Sequence, residues 1–332
     1  MPEKWNVSHA AAVLHDDAIV CDMVLPGTSA LDQRESVVPR YPAAGCNYVA
    51  LTIGTDRWTL EQTVLVVAAE RARYARHADK YRLVESVDDI HQARKEGKLA
   101  IGFNFQGTNG LAGQLDMVGV YYKLGIRSML LAYNQKNLVG DGCHERTDAG
   151  LSRFGLSLIK EMNRVGMLVD CSHTGHRTSM EAIEASSDPV VFTHSNAKAL
   201  MPHDRNITDD LIKACARRGG VIGMNGMGIY IADNDASTAA LVRHIDYMSD
   251  LVGPQHIGLG LDFVFYEDNF YARVKANPNR YPPDKYPIPQ QFFKPEQLPE
   301  LTDQLLRRGY AETAVRGILG ENFLRVAKEV WK

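Results

Sequence analysis

Cysteine is scarce in this chain and poorly placed for cross-linking. The 332 residues contain five: Cys21, Cys46, Cys143, Cys171 and Cys215. An odd count with no Cys-x-x-Cys pair argues against a disulfide-stapled secreted scaffold and against a zinc ribbon. Excess charge is missing too. The formal net charge is -3, and no block of Lys or Arg occurs. The most basic stretches, AERARYARH and RRGYAETAVR, interleave apolar residues at helical spacing. They read as solvated helix faces, so no nucleic-acid partner is expected. Neither GxGxxG nor a Walker A loop is found, which removes the usual phosphate cradles. No apolar run approaches membrane-spanning length. The stretch MPEKWNVSHAAAVLHDDA breaks its short apolar run at His15, Asp16 and Asp17, and FLRVAKEVWK forms no hydrophobic tail. The expectation is a cytoplasmic protein without a membrane partner.

What is present is alternation. Eight strand-like runs recur: 18–24, 48–53, 99–105, 126–132, 166–172, 189–194, 220–225 and 256–263. Between them lie segments such as RFGLSLIKEMNRVG and HRTSMEAIEAS, with apolar residues at three- and four-residue spacing and several stops at Gly. Eight β–α units predict a (β/α)8 TIM barrel over 1–332, with a doubly wound sheet as the rival. Residues 268–299, rich in Pro, Asn and aromatics, read as a long loop on the active-site rim. Helical patterns over 300–332 close the chain.

The chemistry-bearing residues fall at strand ends. His173 ends MLVDCSH and His194 ends PVVFTH, separated by about one crossover helix. In parallel sheet that spacing puts both imidazoles at the same edge of adjacent strands, where they can bind one metal ion. A purely local hydrogen-bonding role is the alternative for either. Asp262 ends the eighth run in GLGLDF and can take a proton, bind an ammonium or complete a metal shell. A helix cap or loop salt bridge is its alternative. Asp22 ends the first run, and barrel closure predicts that it shares a cavity with Asp262. Arg205, in HDRNITDD, can hold a carboxylate bidentately or pair with Asp204, Asp209 or Asp210. Thr208 is expected to cap the following helix. Gln106 and Tyr133 end the third and fourth runs. Tyr133 can donate to a developing oxyanion, and both can equally serve to satisfy a polar barrel mouth. His203 is expected at the surface or behind the site, and His176 at a helix start.

These residues, with YNQKNLVGDG, PVVFTHSNAKAL and HIGLGLDF, resemble the membrane dipeptidase family (renal dipeptidase-like, peptidase family M19) over nearly the whole chain. The resemblance implies a barrel of the metal-dependent hydrolase type with a binuclear zinc centre, acting on dipeptides and in some members on β-lactams. It also implies a homodimer. Under it, His173 and His194 match two zinc ligands, Arg205 the residue receiving the substrate carboxylate, and Asp262 the proton-handling aspartate. Three positions depart from the pattern. Asp22-Met23-Val24 stands where the family has His-x-Asp, Gln106 where a glutamate bridges the metals, and Tyr133 where a histidine polarises the substrate. Val24 cannot bind a metal, and neutral Gln106 cannot offset the repulsion between two dications. The expectation is therefore one Zn2+ per chain on His173 and His194, assisted by Asp22 or Gln106, rather than a binuclear centre. The expected activity is that of a dipeptidase or amidohydrolase cleaving a small carboxylated amide. A non-peptidase barrel enzyme and an inactive carboxylate-binding protein are the alternatives.

Overall fold

Every strand pairing in the computed structural model, which describes residues 4–27 and 34–332, is parallel. The strands are β1 (Cys21–Leu25), β2 (Tyr48–Thr55), β3 (Tyr81–Leu83), β4 (Leu99–Gln106), β5 (Ile126–Leu130), β6 (Leu168–Asp170), β7 (Val191–Phe192), β8 (Val221–Met224) and β9 (Ile257–Leu259). Their order is β1-β2-β4-β5-β6-β7-β8-β9, with β3 attached to β4 off this path. The eight expected strands are all there. The ring is nearly closed between β9 and β1, where Asp262 N donates to Val24 O (3.2 Å) and Leu261 N to Asp22 Oδ1 (2.8 Å).

Strand β3 is an addition that the sequence reading did not include. Its three residues, YRL, are only half buried, so they show no apolar alternation. It pairs with Leu99–Ile101 of β4, while β5 pairs with Phe103–Phe105 on the same strand.

The helices between strands form where the apolar spacing placed them. Arg153–Val165 starts at Ser152, whose hydroxyl accepts from Gly155 N, and stops at Gly166 with φ +87°. Its buried face is Leu158, Ile159 and Met162. Ser/Thr caps and a left-handed glycine stop are the expected ends of a helix. His176–Ala185 is the crossover from β6 to β7 and buries Ala182 and Ile183. That crossover sets the two histidine-bearing strand ends side by side.

At the bottom of the barrel, the last helix, Asn322–Val330, packs Phe323, Leu324, Val326 and Val330 with Met23, Tyr48, Leu168 and Val221. Phe323 stacks on Tyr48 with ring centroids 5.4 Å apart. The helical pattern expected over 300–332 corresponds to Leu298–Arg307, Glu312–Arg316, a π-turn at Gly317–Glu321 and this helix.

The rim segment requires a correction. Residues 268–299 are not a structureless loop. They begin inside a helix, Glu267–Ala276, anchored by buried Phe270 and Val274, and end with a 3-10 turn at Pro295–Gln297 and the start of the next helix at Leu298. The prolines and the alternation of aromatic and charged residues obscured that short amphipathic helix.

Candidate active site

A cavity opens at the C-terminal ends of the strands. Catalytic sites of such barrels lie on this face. His173, Tyr133, Gln106 and Asp262 line it, with Phe270, Arg273, Arg280, Tyr281 and Tyr286 contributed by the rim segment.

The two histidines meet as the strand spacing predicts. His173 Nε2 lies 2.9 Å from His194 Nε2. Both are buried, His194 completely. Their Nδ1 atoms are held from behind. His173 Nδ1 contacts Asn134 Oδ1 at 2.6 Å. The orientation of that amide follows from its other end, because Asn134 Nδ2 donates to the Arg280 carbonyl (3.1 Å), which can only accept. His194 Nδ1 contacts Thr193 Oγ1 at 2.7 Å, and that hydroxyl donates to Asp170 Oδ2 at 2.5 Å. Asn134 Oδ1 can only accept, and the Thr193 hydroxyl gives its own proton to Asp170, so each Nδ1 carries a proton and each neutral ring presents its Nε2 lone pair to the other. Burial, and next the Arg205 cation, hold both imidazoles well below the usual histidine range, so both are neutral. Two opposed lone pairs at this separation repel. The Nδ1 contacts are the supporting hydrogen bonds that metal-binding histidines require.

The two imidazoles supply two neutral nitrogen donors. Among the described residues, no group of three or more His, Cys, Asp or Glu could hold a metal ion. Gln106, buried with an unpartnered Nε2, is the neutral side chain at the cavity wall. Val24 and Gln106 offer no anionic donor for a second ion.

Asp22 is not among the residues that line the cavity. Its Oδ1 accepts from Val24 N (3.1 Å) and Leu261 N (2.8 Å), across the seam of the barrel. Burial raises its carboxyl to about 7 against those hydrogen bonds. The shared cavity expected for Asp22 and Asp262 is not formed, because the Asp22 side chain turns into the backbone of the seam.

Asp262 receives Asn225 Nδ2 at 3.1 Å. Burial raises its carboxyl above the ordinary range, with Arg205 and Asn225 pulling the other way. Tyr133 stacks on His173 with centroids 4.0 Å apart, and its hydroxyl receives that of Tyr281 at 3.2 Å. It lies past the end of β5, which stops at Leu130. Burial, then Tyr281, pushes its phenol well up, so it stays protonated.

Arg205 is 2% exposed and forms none of the three ion pairs weighed from sequence. Its Nη2 donates to the His194 carbonyl at 3.0 Å, and its buried Nε has no partner. It borders a second cavity of about 640 Å³, which shares His173 with the first. Thr208 occupies the N-cap position, but its hydroxyl bonds to the Asp210 carboxylate rather than the backbone. His203 is buried behind Arg205, whose backbone N–H donates to its Nδ1 at 3.1 Å, and His176 is exposed at its helix start.

Sequence reasoning missed Asn134, Asp170, Thr193 and Asn225, which touch the site residues from behind. Thr193 directly precedes His194, and Asp170 lies three residues before His173. Nothing in a single sequence marks Asn134. It shares one backbone feature with His173 and Asp262: all three are left-handed, with φ of 61°, 63° and 51°. Non-glycine residues adopt such angles rarely.

Comparison with known proteins identifies the family. The model of the family described as membrane dipeptidase (peptidase family M19) matches residues 55–268 and 284–332. An uncharacterized protein in the pqqA 5′ region of Klebsiella pneumoniae is 31% identical over 78% of this chain and 92% of its own. An uncharacterized dipeptidase of Schizosaccharomyces pombe is 29% identical over 85% of this chain, which spans 66% of that relative. The crystal structure of an amidohydrolase from Pseudomonas aeruginosa superposes with a TM-score of 0.88 at 31% identity, covering 97% of this chain and 99% of the other. The chain belongs to the membrane dipeptidase family, peptidase family M19.

Proposed function

We propose that the chain is a hydrolase of small carboxylated amides, such as a dipeptide or an N-acyl amino acid, working with one zinc ion per chain. The observation that carries this reading is the pair of neutral imidazoles with Nδ1 atoms held by Asn134 and Thr193, beside a cavity lined by Asp262 and Tyr133. His173 and His194 would hold the metal, with Gln106 assisting. When bound, the metal supplies Lewis acidity and lowers the pKa of water.

The chain's own groups do the rest. Asp262, with a raised carboxyl pKa, takes the proton of the attacking water and returns it to the leaving nitrogen. Tyr133, kept protonated by burial, donates to the oxygen on which negative charge develops. Arg205 holds the substrate carboxylate through its free Nε. It does so from the second cavity, which adjoins the first at His173. The homodimer and the cytoplasmic location expected from sequence belong to this proposal. Light scattering tests the first. Among the described residues, no helix is long and apolar enough to cross a membrane.

The test is metal content per chain, with H173A/H194A measured beside the parent. About one zinc in the parent, none in the folded variant, and dipeptide turnover that is lost on chelation would support the reading. Full turnover after complete metal removal would end it. A second reading, a non-peptidase reaction on a carboxylated compound, is favoured by Tyr133 and Gln106 standing where the family pattern has substrate-polarising and metal-bridging groups. Turnover of such a compound with no amide cleavage would select it.

A further inference from the structure

The main cavity carries more positive charge than the proposed reaction uses. Three arginines line it, Arg57, Arg273 and Arg280, against a single carboxylate, Asp262. Among the described residues, none of the three has a carboxylate within ion-pair distance. Arginines elsewhere in the chain do: Arg34 meets Glu70, Arg40 meets Glu296, and Arg73 meets Glu35. Among the described residues, Arg273 Nε is buried without a partner, and the side chain's only hydrogen bond is a long one of 3.4 Å from Nη2 to Tyr266 Oη. Arg280 spends Nε on Gln135 (3.1 Å), and among the described residues its two terminal nitrogens have no hydrogen-bond partner. Arg57 stands exposed at the rim, near enough to Arg273 for the two cations to repel. Stacking explains part of the placement, since Arg273 lies over Tyr266 and Phe270, and Arg280 over Tyr133. It does not explain why, among the described residues, the buried Arg273 Nε has no acceptor. Buried guanidinium groups ordinarily find one.

Position in the chain adds an independent argument. The family match stops at residue 268 and resumes at 284. Arg273 and Arg280 both fall in the unmatched stretch, so these cations come from a part of this chain that the family pattern does not describe.

We infer that Arg57, Arg273 and Arg280 form a second anion-binding subsite, and that the substrate is a small amide with two separated anionic groups. Arg205 holds the carboxylate beside the scissile bond. The second group, a carboxylate or a phosphoryl group, binds at the mouth. A planar fork of N–H donors suits either oxyanion. The inference rests on the hydrolase reading for the role of Arg205, but the subsite itself is a binding property.

Binding is therefore measured separately from turnover. The parent, R273Q, R57Q/R280Q and the surface control R153Q are compared by calorimetry with N-acetylalanine, N-succinylalanine and alanyl-phosphoserine, after melting curves show each to be folded. The parent should bind the two doubly anionic compounds at least about tenfold more tightly than N-acetylalanine, a typical difference for an added charged contact. R153Q should keep that ratio, and R273Q and R57Q/R280Q should bring it towards one. A preference for the succinyl compound alone identifies a carboxylate site, and one for the phosphoryl compound alone a phosphate site. Equal affinities in the parent, no binding of any compound, or a ratio that survives both cavity variants would overturn the inference. If the ratio behaves as expected but no compound is hydrolysed, the subsite stands and the hydrolase reading fails.

Discussion

Replacing Thr193 with Val tests the central claim about the histidine pair. Valine keeps the β-branched shape of threonine and its fit to the strand end, and removes only the hydroxyl. That hydroxyl accepts from His194 Nδ1 at 2.7 Å and donates to Asp170 Oδ2 at 2.5 Å. Asp170 retains backbone N–H bonds from Ser172 (2.9 Å) and Thr193 (3.1 Å) on its other oxygen. The variant thus leaves one imidazole N–H and one carboxylate oxygen buried without partners. Each such group costs about 1–3 kcal/mol. The expected loss of stability is roughly 2–5 kcal/mol, read from urea midpoints of the metal-free protein. His194 also loses the contact that fixes its tautomer, so zinc affinity should fall about 10- to 100-fold, the usual effect of removing such a support. Competition against a chromogenic chelator measures that. Thr193→Ser restores the hydroxyl and should recover most of the affinity. If T193V matches the parent in zinc affinity and stays within about 0.5 kcal/mol in stability, the tautomer argument is wrong.

Three further outcomes are expected. Glu70 and Arg34 form a fully buried ion pair at 2.9 Å, and Arg34 also donates to the Thr52 carbonyl at 2.6 Å. Glu70→Ala should cost about 3–5 kcal/mol in denaturant unfolding, whereas Arg34→Met with Glu70→Leu should recover much of it; equal losses would refute the uncompensated-charge explanation. His203 accepts from Arg205 N through Nδ1, and burial lowers its pKa from 6.5 to about 4. Its unfolded form binds the proton first, so its stabilisation is complete above pH 6.5 and disappears as pH falls towards 4. At about 1.4 kcal/mol per unit this amounts to roughly 3 kcal/mol, and His203→Gln should flatten the stability profile in that window relative to the parent. An unchanged slope would count against it. Finally, a Cβ on Gly260 would collide with the Thr193 carbonyl, which already faces Gly223 on its other side. Gly260→Ala should displace Thr193 and His194 together, lowering melting temperature and zinc content; a crystal structure with that carbonyl unmoved would contradict this.

The fold was legible because each βα unit states its own periodicity. MLVDCSH and PVVFTH show their strands, and HRTSMEAIEAS shows the crossover that brings His173 to His194. Strand β3 was hidden because three half-buried residues, one of them Arg82, carry no pattern. The rim helix was hidden because Pro and Asn surround a ten-residue helix whose apolar face is only Phe270 and Val274. Within the site, strand ends located Gln106 and Asp262 correctly on the cavity wall. They misplaced Asp22, because alternation along a strand does not foresee a side chain folding back onto the amides of Val24 and Leu261. The supporting residues were invisible for a related reason. Asn134 reaches His173 across 39 positions of chain, a contact set by packing and not by spacing.

The left-handed backbone at Asn134, His173 and Asp262 has a consequence for how this protein changes over generations. Glycine fits such angles without strain, while a side chain there costs on the order of 1 kcal/mol or more. A lineage selected only to stay folded would gain by exchanging each of the three for glycine. A lineage selected for what those side chains do would bear the strain at all three together. The residues at these positions in descendants of this chain therefore record whether the cavity is still in use, independently of any assay.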